Sequence, residues 1–218
     1  MLHGWGQDTT SFQTLVSMLE SEFQVTTFDF PGFGTGPAPG SHWGIQEYIE
    51  WTADKLSKHP PAILFGHSFG GRVAIGLAAR QPAWLRSVIL SGTPGLYRPS
   101  RKVRSKILLA RIWKSLKLPN TNVLGSQELR DADQKGLASI FKKIVPVDQK
   151  QELTQIKIPT LLIRGEHDTA VTHATYQEMI SAIPSHPTCI TIPRIGHNIH
   201  LENPFILFGI IKKFSNAL

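Results

Sequence analysis

The seven residues Phe65-Gly66-His67-Ser68-Phe69-Gly70-Gly71, FGHSFGG, decide how this chain is read. They have the form Gly-x-Ser-x-Gly. Short glycine patterns arise by chance, so the setting matters more than the pattern. Before it, PAILFG (61–66) is a continuous apolar run, as expected of a strand buried on both faces. After it, residues 70–81 read as a helix. A strand that turns sharply into a helix strains the serine backbone and leaves its hydroxyl standing proud. Gly66 and Gly70 flank Ser68 where a side chain would clash between strand and helix. The helix N-terminus behind Ser68 also favours negative charge developing near its Oγ. The competing reading is an ordinary glycine-rich strand-to-helix turn without chemistry, and only partners elsewhere in the chain separate the two.

Outward from this stretch, short apolar runs alternate with helical patterns. Strands are expected at 23–30, 61–66, 87–92, 160–165 and 188–192, and helices near 9–21, 45–58, 70–81, 173–183 and 204–216. That alternation implies an α/β fold: a mostly parallel sheet flanked by helices. The rhythm breaks between 93 and 152, where SRKVRSKILLARIWKSLKL and SQELRDADQKGLASIFKKIV are both helical in pattern. The expected organisation is a core of residues 1–92 and 153–218, with 93–152 inserted as a helical cap over one edge of the sheet.

A nucleophilic serine needs a base, and the base an orienting acid. RGEHD places Asp168 just past the strand 160–164, and RIGHNIHLENP places His197 just past the strand 188–192. In a parallel sheet those strand ends share one edge with the strand leading to Ser68, where ligands bind in such folds. Singly, Asp168 reads as a helix cap and His197 as a structural histidine. Together, in the order Ser, Asp, His, they match a known triad order. His200 and His167 are rivals for the base, and Glu166 is a weaker rival for the acid. The oxyanion donors expected are the backbone N–H groups of Phe69, directly after the serine, and of Trp5 in HGWG, where Gly4 and Gly6 free the chain.

With those residues in view, the chain resembles the α/β-hydrolase fold family, in its serine-nucleophile, esterase-like members. HGWG resembles the oxyanion loop, FDFPGFG (28–34) the strand-turn that follows it in sequence, and GHSFGG the nucleophile elbow. GEHD resembles the acid turn and GHNIHLENP the histidine turn. The resemblance covers nearly the whole chain and is thinnest in the cap. It implies Ser68 as nucleophile, His197 as base, Asp168 as acid, and the Trp5 and Phe69 amides as the oxyanion hole. A serine at the elbow argues against the family members that use an aspartate there. In the family, HG follows a complete central strand, which here would lie between 23–30 and 61–66, yet only Met1 and Leu2 precede His3. The expectation is that N-terminal strands are missing, and that a chain starting at Met1 is poorly soluble or pairs its open edges with another copy.

Composition narrows the rest. The chain has 218 residues, enough for one domain with a large core. No apolar run reaches transmembrane length, and the first residues do not read as a signal peptide, so the expected location is the cytoplasm. The one cysteine, Cys189, is expected to be a buried, inert thiol. The net charge of +7 is concentrated between Thr93 and Lys117, which holds Arg98, Arg101, Lys102, Arg104, Lys106, Arg111, Lys114 and Lys117 and no acid. The rest of the chain is close to neutral. A solvated face is the plain reading of that segment. The sharper reading is docking of an acidic partner such as an acyl carrier protein, a coenzyme A ester or an anionic membrane. Nucleic-acid binding is set aside, because the basic run from Arg98 to Lys117 lacks aromatic interleaving apart from Trp113 and no binding module is recognisable. The expected activity is hydrolysis of small-molecule carboxylic esters without a metal or organic cofactor. Carrier or coenzyme A esters, carbon–carbon bonds, and slow-turnover ligand reception are the alternatives on the same fold.

Overall fold

The computed structural model describes residues 1–99 and 127–218. Among these, β1 (Ala62–His67), β2 (Leu85–Ser91), β3 (Thr160–Gly165) and β4 (Thr188–Ile192) lie side by side in that order, and every neighbouring pair is parallel. β3 is buried at all six positions, which is why TLLIRG shows no polar alternation. Side chains still divide by face with period two. Leu64, Val88, Leu90 and Leu162 join one apolar cluster, whereas Phe65, Ile89, Leu161 and Ile163 join the other.

Helices cover both faces. α1 (Gln13–Leu19) follows a 3-10 turn at Thr9–Phe12. α2 (Ile45–Leu56) and α3 (Phe69–Arg80) follow in sequence. After β2 come α4 (Gln127–Gln134) and α5 (Ala138–Ile144), and α6 (Lys150–Gln155) leads back to the sheet. α7 (His173–Ala182), α8 (Ile199–Glu202) and α9 (Pro204–Ser215) complete the described chain. Tyr48 and Ile49 of α2, Val73 and Leu77 of α3, and Met179 of α7 pack on the first face. Leu15 of α1 and Leu207 and Ile211 of α9 pack on the second. α3 is almost wholly buried. Each fully buried Val, Ile or Leu side chain there contributes about 1.5–3 kcal/mol, which fixes the helix that starts beside Ser68.

The structure departs from expectation in four places. No strand forms at 23–30. A strand exists only through its ladder, and the backbone bond made across this gap is from the Met1 amino group to the Thr26 carbonyl, 2.6 Å. Leu2 bridges β1, with its N–H on the Phe65 carbonyl at 2.8 Å and its carbonyl accepting from His67 at 3.0 Å. Beyond it, a cavity of about 450 Å³ separates Val25 and Phe28 from Ile63 and Phe65. The helical pattern at 126–145 is split into α4 and α5 by Gly136, whose φ of +69° no continuing helix adopts. Cys189 is exposed, not buried, because β4 has no strand on its outer side among the described residues. The helix expected at 9–21 begins as the 3-10 turn, with Asp8 accepting from Thr10 N–H at 2.9 Å. The basic helical stretch holding Arg101 to Lys117 lies outside the described residues. Arg98, at its start, is ion-paired with Asp148 and Glu178.

Two glycines differ sharply in their surroundings. A Cβ on Gly70 would lie 2.3 Å from the Leu2 carbonyl oxygen, a main-chain atom that cannot step aside. A Cβ on Gly209, exposed in mid-α9, would meet nothing within 4 Å. Gly70→Ala is therefore expected to cost more than about 2 kcal/mol. Gly209→Ala should stabilise by up to about 1 kcal/mol through helix propensity. Urea unfolding midpoints check both, and a neutral Gly70→Ala would mean that residues 2–3 do not hold this position.

Candidate active site

Ser68 stands between β1 and α3 with φ 51° and ψ −112°, a backbone conformation that a residue with a side chain adopts only under constraint. The constraint is visible. The Ser68 N–H donates to the Ser91 carbonyl at 3.0 Å, and the next turn closes with Arg72 N–H on the Ser68 carbonyl at 3.1 Å. A Cβ on Gly66 would lie 2.6 Å from the Gly70 carbonyl oxygen, so strand and helix touch main chain to main chain.

Three turns distant in sequence meet at Ser68. Its Oγ lies 2.9 Å from His197 Nε2, and His197 Nδ1 lies 2.8 Å from Asp168 Oδ2. A carboxylate only accepts, so Nδ1 carries the proton and Nε2 presents its lone pair to the hydroxyl. The Asp168 side chain is fully buried and its other oxygen accepts from the amides of Ala170 (2.8 Å) and Val171 (2.9 Å). Arg164, at the end of β3, braces the same turn by donating to the carbonyls of Val171 and Glu166 at 2.8 and 2.9 Å. The His197 turn is clasped by Glu202, which accepts from Gly196 N–H at 2.7 Å and Asn198 N–H at 3.1 Å, on either side of the histidine.

The rivals fall elsewhere. The His167 side chain is 66% exposed and faces Glu166, whose carboxylate accepts from the Arg194 amide at 2.9 Å. His200 is buried, its ring 4.4 Å from that of His67 and 5.0 Å from Phe12. His67 in turn lies 5.0 Å from the His197 ring. Burial, reinforced by the neighbouring histidines, holds His67 well below the usual imidazole range. Burial pushes His200 down to about 4, with His197 adding to the effect.

The Trp5 turn is brought to the same place by main-chain contact. Gly70 N–H donates to the His3 carbonyl at 3.0 Å, and the Trp5 and Phe69 rings meet at 5.3 Å. Phe69 opens α3, so its N–H has no intrahelical acceptor. His3 is fully buried and takes the Phe30 N–H on Nε2 at 3.0 Å, which leaves Nδ1–H to donate to the Gly4 carbonyl at 2.8 Å. Sequence reasoning passed over Glu202, Arg164 and the bonding role of His3. Glu202 carried a faint signal, since it closes a short turn after His197 and is followed by Asn203-Pro204, a helix start in which Asn203 Oδ1 accepts from Ile206 N–H at 3.0 Å.

Comparison with known proteins gives three concordant results. A family model described as "Alpha/beta hydrolase family" matches residues 1–208. Among curated proteins, the pimeloyl-[acyl-carrier protein] methyl ester esterase of Aeromonas hydrophila is 25% identical over 98% of this chain and 93% of its own. The protein of the same name from Neisseria meningitidis serogroup A is 35% identical over all of this chain and 70% of its own. Among solved structures, the enol-lactonase of Burkholderia xenovorans superposes with a TM-score of 0.77 at 22% identity, covering 99% of this chain and 89% of the other, which shows the common fold.

The buried histidines set a pH dependence. Unfolded, His200 takes up its proton near 6.5; folded, near 4. Between these values the unfolded chain holds more protons, so stability is greatest above the upper value and falls as pH drops toward the lower. His3 and His67, also held down by burial, act in the same direction. His200→Phe is expected to flatten part of the loss in urea midpoint between about pH 7 and about pH 4.5. An unchanged slope would show that His200 is not its source.

Proposed function

The chain belongs to the alpha/beta hydrolase family, and from that premise we propose that it hydrolyses carboxylic esters through a covalent intermediate on Ser68. The supporting observation is the continuous chain Ser68 Oγ–His197 Nε2 and His197 Nδ1–Asp168 Oδ2, at 2.9 and 2.8 Å. His197 takes the Ser68 proton as Oγ attacks the ester carbonyl carbon. Asp168 holds the imidazole in the reactive tautomer and stabilises its charge. The carbonyl oxygen becomes an oxyanion received by the N–H groups of Phe69 and Trp5, each donor worth about 3–4 kcal/mol in the transition state. The C–O bond to the alcohol breaks as His197 returns the proton to the leaving oxygen. Water, deprotonated by His197, then attacks the acyl-enzyme and releases the acid, restoring Ser68.

The division into a core of residues 1–92 and 153–218 and an inserted cap at 93–152 belongs to the same reading. It is supported by the pocket of about 230 Å³ in which Trp5 and Phe33 of the core face Ala132, Lys135 and Leu137 of the insertion. We assign the acyl group to that side. The curated relatives carry the name of methyl ester esterases acting on an acyl chain borne by a carrier protein. The seven basic residues from Arg101 to Lys117 favour the same partner class, an acidic carrier.

Labelling with a serine-directed fluorophosphonate, read by peptide mass, is expected to give one adduct on Ser68. Ser68→Ala should abolish it. On a short aryl ester, His197→Ala should lower kcat by roughly 10⁵–10⁶ and Asp168→Asn by roughly 10⁴. An adduct elsewhere, or turnover that survives Ser68→Ala, would overturn the mechanism. For the partner, Arg101→Glu, Arg104→Glu and Arg111→Glu combined should weaken turnover of carrier-bound esters while sparing short esters. Equal loss on both would remove the carrier reading and leave the esterase.

A further inference from the structure

A hydrogen-bond chain joins the two turns on which the proposed chemistry depends, and it uses residues given no role so far. Gly4 N–H, one residue before Trp5, donates to Gln7 Oε1 at 3.2 Å. Gln7 N–H also closes the turn onto the Gly4 carbonyl at 3.2 Å. The other end of the Gln7 amide, Nε2, donates to Asn198 Oδ1 at 3.1 Å, across 191 residues of sequence. Asn198 directly follows His197. The polarity of this chain is forced. A backbone N–H only donates, so Gln7 must offer it oxygen and must present its NH₂ to Asn198, which must answer with oxygen. The same Asn198 oxygen lies 3.2 Å from His67 Nε2, in the residue before Ser68. His67 faces a second acceptor, the Ser91 carbonyl, from Nδ1 at 3.1 Å. A neutral ring donates to one of them at a time. Asn198 Oδ1 thus touches the histidine turn, the elbow and, through Gln7, the Trp5 turn. Behind it, Glu202 fixes the Asn198 backbone through the N–H at 3.1 Å.

We propose that Gln7 and Asn198 are positioning residues, forming one bridge that holds the base on His197 and the oxyanion donor on Trp5 in register with each other. The proposal rests on the esterase reading of Ser68. The two amides bond to Gly4, to each other and to His67. Their action is to keep two turns from opposite ends of the chain at the separation the tetrahedral intermediate requires. Both are only half-buried, so their loss removes alignment and not core packing. A misplacement near 1 Å at such a site costs about a hundredfold in rate.

The test compares Gln7→Ala, Asn198→Ala, the double variant and Asn198→Asp on a short p-nitrophenyl ester, with fluorophosphonate labelling of Ser68 in parallel. Each single alanine variant is expected to lose about ten- to a hundredfold in kcat with KM changed less than about threefold, at a nearly unchanged melting temperature. The double variant should fall no further than the worse single, because one bridge is broken only once. Asn198→Asp keeps an oxygen for Gln7, so kcat should survive. Its added negative charge near the His67, His197 and His200 rings should move the acid limb of kcat/KM to higher pH. Losses that multiply in the double variant, losses that track melting temperature, or wild-type labelling rates in the alanine variants would each overturn the bridge while leaving the esterase reading intact. Wild-type protein that neither labels at Ser68 nor turns over ester would overturn both. Should Asn198→Ala fail to fold, Gln7→Ala and Asn198→Asp carry the test.

Discussion

Everything around the site depends on one main-chain contact, between residues 2–3 and residues 65–70. Leu2 bonds to both sides of Gly66, and the His3 carbonyl receives the Gly70 N–H. Backbone lies on backbone there, which no side chain at position 70 permits. The contact sets the Trp5 turn beside the start of α3, and His3 passes the constraint on to Phe30. Asp29 gathers the next layer, accepting from Thr9 N–H and from Thr35 N–H and hydroxyl at 2.8–2.9 Å. Burial works against its charge, but those bonds outweigh it and hold the carboxyl near 2. The loops are thus located by groups that every sequence possesses, with side chains serving as the ties between them.

This distribution explains what could be read from the sequence. β1, β2 and β3 were legible because burial on both faces demands unbroken apolar runs. The meeting of Ser68, Asp168 and His197 was legible because each follows a strand, and parallel strands deliver their ends to one edge. The strand expected at 23–30 was not formed, because alternation of apolar residues describes what can be buried and says nothing of whether a neighbour is there to bond. Cys189 was misjudged for a related reason: TCITI has the composition of an interior strand, but β4 occupies an outer place. Gln7 and Asn198 left no mark at all. Their meeting depends on the angles of two turns, and amides are common in any polar loop.

The electrostatics of the site follow from what surrounds His197. His67 and His200 meet ring against ring at a tilt of 58°, and burial holds both below the usual imidazole range. They fill space beside His197 much as aromatic side chains would. In the proposed cycle, the positive charge that appears on His197 finds Asp168 as its partner, at 2.8 Å. The short distance to Asp168 favours charge on His197, whereas burial disfavours it on His67 and His200, which singles out one imidazole of three.

The conformation of Ser68 has an evolutionary consequence. Its φ of 51° with ψ of −112° belongs to a region in which glycine is at ease and serine is not. Holding serine there costs about 1–3 kcal/mol. A glycine at this place would keep the turn and relieve the strain, while removing the hydroxyl that the proposed chemistry acylates. Selection for durability and selection for turnover pull this position in opposite directions. In a lineage released from the need for turnover, drift would run downhill toward glycine. A serine that stays at position 68 is therefore informative in a way a buried leucine is not: the fold alone gives no reason to keep it.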